Sequence, residues 1–291
     1  MPAKPKPAKL KPAKPKAPPT KPLVCLVTPA DAHDTKHKSR DAFEDELQRL
    51  GLTSAQIDYK VYYGSYSPTT LRTKANTAVS DAQSYVDAHQ RAVIVTAGTM
   101  ATAIVQGLAP NTIPIIQAAG GAMPTRQTNV TGFYIDAQGT SQSQFDKLSV
   151  YGTVTILYDS TNEPPSNSAY LALAAYAIQR YPLVTENSLD IHDLTRLVST
   201  DIEGSFMLIP NTMYYNKCDV IAKAVKQAGV PAIYPEREYK NEHGNNKTGI
   251  KVHGHNIPLT YRLAATYVLN ILDGSMVIPL PALASAIPDE D

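Results

Sequence analysis

Only two cysteines, Cys25 and Cys218, occur in the 291 residues, and neither falls in a CxxC or other metal-binding spacing. Each sits inside an apolar strand or helix pattern, where a small buried hydrophobe is the commoner role for a thiol than a ligand or nucleophile. A disulfide between them stays open at this level. No run of about 18 apolar residues exists, so no membrane-spanning helix is expected. Residues 1–22 also lack the apolar stretch of about 7–15 residues that an export signal needs. There is no GxSxG elbow, no cysteine followed by a matching histidine motif, and no GxGxxG. Acyl transfer and dinucleotide binding thus lose their usual signposts, and catalysis is left without a candidate residue.

One end of the chain is densely positive and free of acid. Residues 1–22 carry seven Lys, eight Pro and no acid, which leaves 20 basic against 26 acidic groups, a net −6, for the rest of the chain. Such a Lys/Pro/Ala composition cannot bury apolar area and predicts a disordered, dispensable tail. A nucleic-acid reader would carry its positive charge on the folded body, so specific nucleic-acid recognition is not expected.

Beyond residue 22, short β-rich runs alternate with helical patterns. LVCLVT (23–28) precedes the amphipathic stretch ending at Gly51. IDYKVYYG (57–64) precedes a long polar helix over 68–89, AVIVTAG (92–98) a helix through Gly107, and IPIIQA (113–118) closes the series. The second half repeats the scheme with VTILYDS (154–160), a Tyr/Ala-rich helix to Arg180, LVTENSLDI (183–191), SFMLIP (205–210), a helix to Gly229 and PAIYP (231–235). Strand–helix alternation of this kind predicts parallel sheets covered on both faces. The last long helix, about 258–273, is expected to pack back on the first lobe. An internal match supports duplication: Gly98-Thr99-Met100 and Asn211-Thr212-Met213 follow a strand and open a helix at corresponding places.

In open parallel sheets ligands bind beyond the carboxyl ends of the strands, where helix N-termini present N–H groups and a positive dipole end. Thr99 and Thr212 each stand at such a helix start, where a hydroxyl can cap the backbone or meet a ligand. The loop at 28–38 carries Asp31, His33, Asp34 and His37, but His253 and His255 alternate on one strand and only one could join them, so no metal site is expected. Gly120-Gly121 suits a flexible crossing between lobes.

Several segments resemble the ABC-transporter substrate-binding proteins of the tryptophan/tyrosine-type group. They are Asn129-Val130-Thr131-Gly132 after an Ile-Pro-Ile strand, Ile156-Leu157-Tyr158 before a polar loop over 159–168, Ala97-Gly98-Thr99 before an Ala-rich helix, Gly229-Val230-Pro231, and Ile271-Leu272-Asp273-Gly274. The resemblance spans about 23–283. It implies a type I periplasmic-binding-protein fold, an α/β structure of two Rossmann-like lobes with parallel sheets and a hinge between them. The expected division is 23–127 plus about 254–278 for the first lobe, and 128–253 plus about 279–291 for the second. The chain departs from the family's pattern at Asn211, where Asp is common, and in the polar stretch 237–253.

The function so implied is binding of a small polar ligand, an amino acid or related molecule, as the non-enzymatic component of a transporter. Permease subunits would be partners, the protein a monomer, and no cofactor is needed. Expected ligand contacts are Thr28, Tyr66, Thr99 and Gln117 from the first lobe, and Asp159, Asn162, Asn167, Asn211, Thr212 and Glu236 from the second. Thr99 and Thr212 would face a carboxylate, and Asp159 or Glu236 an ammonium. The resemblance implies an extracytoplasmic location, whereas the missing export signal leaves a cytoplasmic one open. Two alternatives remain: an intracellular ligand sensor of the same fold, and an amino-acid racemase, which would need two facing acid/base groups such as cysteines.

Overall fold

The structure, a computed structural model, describes residues 21–34, 38–121, 127–160, 164–243, 251–286 and 288–290. Of the tail expected over 1–22, all but Lys21 and Pro22 lie outside the described residues, and so does Asn162.

The chain runs β1 (Leu23–Thr28), α1 (Lys38–Arg49), β2 (Asp58–Tyr63), α2 (Pro68–Asp87), β3 (Ala92–Ala97), α3 (Gly98–Leu108), β4 (Ile115–Gly121) and β5 (Val130–Ile135). These five strands are parallel and ordered β2-β1-β3-β4-β5. All six residues of β1 and all six of β3 are buried, because LVCLVT and AVIVTA are apolar on both faces and a parallel sheet is covered on both. α2 starts where Pro68 follows Ser67, whose Oγ accepts from Thr70 N at 3.3 Å.

The second lobe follows as α4 (Ala137–Leu148), β6 (Thr153–Tyr158), α5 (Pro164–Arg180), β7 (Thr185–Asp190), β8 (Ser205–Leu208), α6 (Thr212–Asn216), α7 (Cys218–Ala228), β9 (Ile233–Tyr234), α8 (Arg237–His243) and β10 (Lys251–His255). β6 lies between β7 and β8 in parallel, and a bridge from Phe206 to Ala232 carries the sheet on to β9 and β10. The helix expected to run unbroken to Gly229 is interrupted at Lys217, between α6 and α7. Among the described residues no helix is long and apolar enough to cross a membrane.

α9 (Ile257–Asp273) returns to the first lobe and packs on α1, β3 and β4. β11 (Ala284–Ser285) then adds to β5 in parallel, and β12 (Pro288–Glu290) pairs antiparallel with β10. The backbone therefore passes between the sheets three times, at 135–137, 255–257 and 285–288. Two of these passages end in a side-chain cap: Asp136 Oδ1 accepts from Gly139 N at 2.9 Å and Asn256 Oδ1 from Leu259 N at 3.0 Å.

The first passage comes one strand later than the sequence pattern suggests. Gly120 and Gly121 are not a crossing; they end β4 and pair with Tyr134 and Ile135 of β5, so residues 130–135, expected within the second lobe, are hydrogen bonded into the first sheet as a strand. Between Gln117 and Gly120 the β4–β5 register shifts, and Gly132 fits the distortion with φ +119. A Cβ there would lie 2.0 Å from Gln117 O, so only glycine lets the two strands approach.

Three apolar clusters fill the molecule. One lies under α2 and α3 (Leu23, Cys25, Leu71, Ala75, Ile94) and one under α4 and α5 (Phe145, Leu148, Ile156, Leu173, Met207). The third joins the lobes, running from Val24, Leu26 and Tyr261 to Leu208, Tyr214 and Tyr234.

Candidate functional site

The two matching strand-to-helix junctions meet each other. Gly98 turns at φ +82 to open α3, and a Cβ on it would lie 3.3 Å from Thr212 Oγ1 of the second lobe. Neither threonine caps its helix, contrary to the expectation from sequence. A cap must stand just outside the helix in extended backbone, and both threonines already lie inside. Asn211 is the cap of α6, with φ −150 and ψ 163 and Oδ1 accepting from Tyr214 N at 2.8 Å. α3 has no side-chain cap, and Thr99 Oγ1 instead accepts from Gly121 N at 2.6 Å, which pins the end of β4 to the start of α3.

Between the junctions lies a cavity of about 110 Å³. Its walls are mostly apolar (Ala119, Ile135, Ala137, Ile209, Pro210, Ile257), and its polar groups are Ser39, Thr99, Asn211, Thr212, Tyr215, Glu236 and Tyr261. Gly98 and Thr99 turn the N-terminal, positive dipole end of the 11-residue α3 toward this space. Ala119 reaches it through a left-handed backbone, φ +54, inside the β4 bulge. Asn211 Nδ2 and the Tyr215 hydroxyl have no hydrogen-bond partner among the described residues although the two side chains are 8% and 5% exposed. Burial pushes the Tyr215 phenol well above its ordinary pKa, so it remains a proton-bearing donor. Glu236, 5% exposed, is the acidic side chain of the lining, and no Lys, Arg or His stands among the described lining residues.

Four of the residues expected at the site, Thr99, Asn211, Thr212 and Glu236, line this one cavity. The others fall elsewhere. Thr28 borders a neighbouring space of about 20 Å³ and its Oγ1 accepts from Ala30 N at 3.2 Å. Gln117 is fully buried beside the cavity and braces the bulge, its Nε2 donating to Gly121 O at 3.0 Å and Phe133 O at 3.1 Å. Asp159 is fully buried and 3.0 Å from Nδ1 of His192, which lines a second interlobe opening of about 610 Å³ together with Asp34, Tyr66 and Lys217. Asn167 belongs to α5, because the helix begins at Pro164 and shortens the loop expected there.

Ser39, Tyr215, Ile257 and Tyr261 were not expected at the site. They come from helix turns rather than from loops after strands. The signal that could have found Tyr215 is its place one turn after the Asn211 cap, where a helix side chain covers the turn preceding it.

No family model matches the chain, and no curated protein matches its sequence. Solved structures do match it at low identity. A conserved domain protein from Vibrio cholerae aligns with TM-score 0.69 at 14% identity, over 94% of this chain and 91% of the other. A sugar ABC transporter protein from Yersinia enterocolitica aligns with TM-score 0.67 at 13% identity, over 93% and 83%. An ABC domain in complex with L-Trp from Streptococcus pneumonia aligns with TM-score 0.64 at 13% identity, over 91% and 90%. The chain has the type I periplasmic-binding-protein fold.

Proposed function

We propose that the protein is a solute-binding protein that holds a small polar molecule between its lobes, as the extracytoplasmic component of an ABC transporter working with permease subunits. The observation that carries this is the pair of buried, unpartnered groups, Asn211 Nδ2 and the Tyr215 hydroxyl, lining a cavity where the two matching junctions meet. A buried polar group without a partner costs about 1–3 kcal/mol, and a ligand offering acceptors relieves that cost. Donors at Asn211, Tyr215 and the α3 terminus suit a carboxylate, and Glu236 suits an ammonium, so the ligand in this proposal is an amino acid or a related small molecule. A racemase would need two facing acid/base groups at the ligand. Cys25 instead lies under α2, its Sγ 3.9 Å from Ala78 O with burial raising its pKa to about 12, and neither it nor Cys218 lines the cavity.

The test is a thermal-shift screen of the purified chain against amino acids, sugars and small carboxylates. A compound of this class should raise the melting temperature with the logarithm of its concentration, reaching about 2.7 kcal/mol of stabilisation at 100 times its Kd. Thr99→Ala in the first lobe and Asn211→Ala in the second should each weaken it. If no compound stabilises the protein at millimolar concentration, or if only one lobe's substitutions matter, the assignment of the ligand to this cleft fails.

A further inference from the structure

The second interlobe opening contains none of the crossing residues Ile135, Ala137 and Ile257 that border the cavity, so it marks a different edge of the cleft. Here four side chains of the two lobes bind one another. The Asp34 carboxylate, 8% exposed, accepts from Lys217 Nζ on Oδ1 and from the Tyr66 hydroxyl on Oδ2. Asn216 Nδ2 donates to that same hydroxyl at 3.2 Å. Asp34 and Tyr66 belong to the first lobe, and Asn216, the last residue of α6, and Lys217, the break between α6 and α7, to the second. A second arm runs alongside: Lys38, at the start of α1, donates to Cys218 Sγ at 2.8 Å and lies 3.6 Å from Glu242 of α8.

We propose that Asp34, Tyr66, Asn216 and Lys217 form a latch that holds the two lobes together at this edge, independently of any molecule in the cavity. None of the four lines the 110 Å³ cavity, so the contact is made between protein groups alone and holds whether or not the ligand proposed above is correct. Burial by itself pushes the Asp34 carboxyl up, yet the hydrogen bonds from Lys217 and Tyr66 outweigh it and keep the group below its ordinary pKa, as a carboxylate. Removing Lys217 leaves that carboxylate buried without its counter-charge, held only by Tyr66 and Asp31 N, and parting the lobes is the change that returns it to water.

The test needs no ligand. Spin labels on the full chain at Ser84→Cys in α2 and Gln227→Cys in α7, both exposed while Cys25 and Cys218 are buried, report the interlobe distance by double electron–electron resonance. The wild type should show mainly the short distance. Lys217→Met and Tyr66→Phe should each raise the long-to-short ratio about tenfold, the worth of one lost hydrogen bond to a charged group, and Lys217→Arg should keep the short distance. Tyr66→Phe changes no charge, so it carries the test if the Lys217→Met protein does not fold. A wild type dominated by the long distance overturns the latch, and so does an unchanged distribution in the folded variants.

Discussion

Asn211 has two separable jobs, and substitutions should divide them. Its Oδ1 caps α6, while its Nδ2 is buried without a partner among the described residues, on a side chain that lines the cavity. Asn211→Ser keeps a capping oxygen and replaces the amide donor by a hydroxyl held one bond shorter at the cap; Asn211→Ala deletes both. Losing the cap costs about 1 kcal/mol, which in a chain of this size lowers the melting temperature by roughly 2–4 °C. Losing a donor to a charged ligand group costs about 1.5–3 kcal/mol, roughly 10- to 150-fold in Kd. Asn211→Ser should therefore melt close to the wild type yet bind the best compound of the screen at least tenfold more weakly, whereas Asn211→Ala should lose in both. Asn211→Asp keeps the cap but adds a second carboxylate to a cavity that already holds Glu236, and should bind a carboxylate-bearing ligand worst of the three. Calorimetric titration and thermal melts of the same preparations measure both quantities. If Asn211→Ser binds like the wild type while Asn211→Ala does not, the binding loss comes from the helix and the donor role is refuted.

Two further outcomes follow from the geometry. Gly132→Ala places a Cβ 2.0 Å from Gln117 O at φ +119, a backbone clash that should lower the melting temperature by more than about 5 °C; a near-wild-type melt would mean that the β4–β5 bulge rearranges freely. The Asp34 pKa is held below 3.8 in the folded protein, so its ionised form adds stability that is full above about pH 4 and lost as the pH falls through the lower folded value. Thermal melts from pH 7 to pH 2 should show the wild type above Asp34→Asn at neutral pH and the gap closing only at the acid end, and a gap that widens there would reverse the sign of the argument.

The alternation of LVCLVT and AVIVTA with amphipathic stretches was enough to place β1, β3 and their helices, since strands buried on both faces leave unbroken apolar runs. Strands at sheet margins leave weaker ones. The β7 run is expected over 183–191 but spans Thr185–Asp190, a sheet-edge strand with none of its six residues buried. α4 carries Gln, Ser and Gly where an apolar stripe would announce it, so no local pattern reveals it. Sheet membership of β5 depends on which strand it meets in space, a fact no local pattern encodes. At the site, the loops after strands hold Thr99, Asn211, Thr212 and Glu236, which the fold brings to one cavity. They could not reveal Tyr215 and Tyr261, whose positions look like ordinary core until two helices from opposite lobes are brought together. Gln117, inside β4, and Asp159, just after β6, turn inward to brace backbone and His192.

The threefold passage of the backbone between the sheets also sets the order in which the molecule can be made. The first lobe needs α9 against α1 and β11 against β5, and both are supplied by residues beyond 256. Nothing emerging earlier from the ribosome can complete it, so the lobe that starts first finishes last, and the second lobe, built from the uninterrupted stretch 137–255, has every long element at hand before its neighbour does. A chain truncated after residue 256 would carry a nearly whole second lobe beside an open-faced first one, with Phe43 of α1, Val95 of β3 and Ile116 of β4 exposed where α9 should lie. Apolar surface left open in this way makes such a species prone to aggregate.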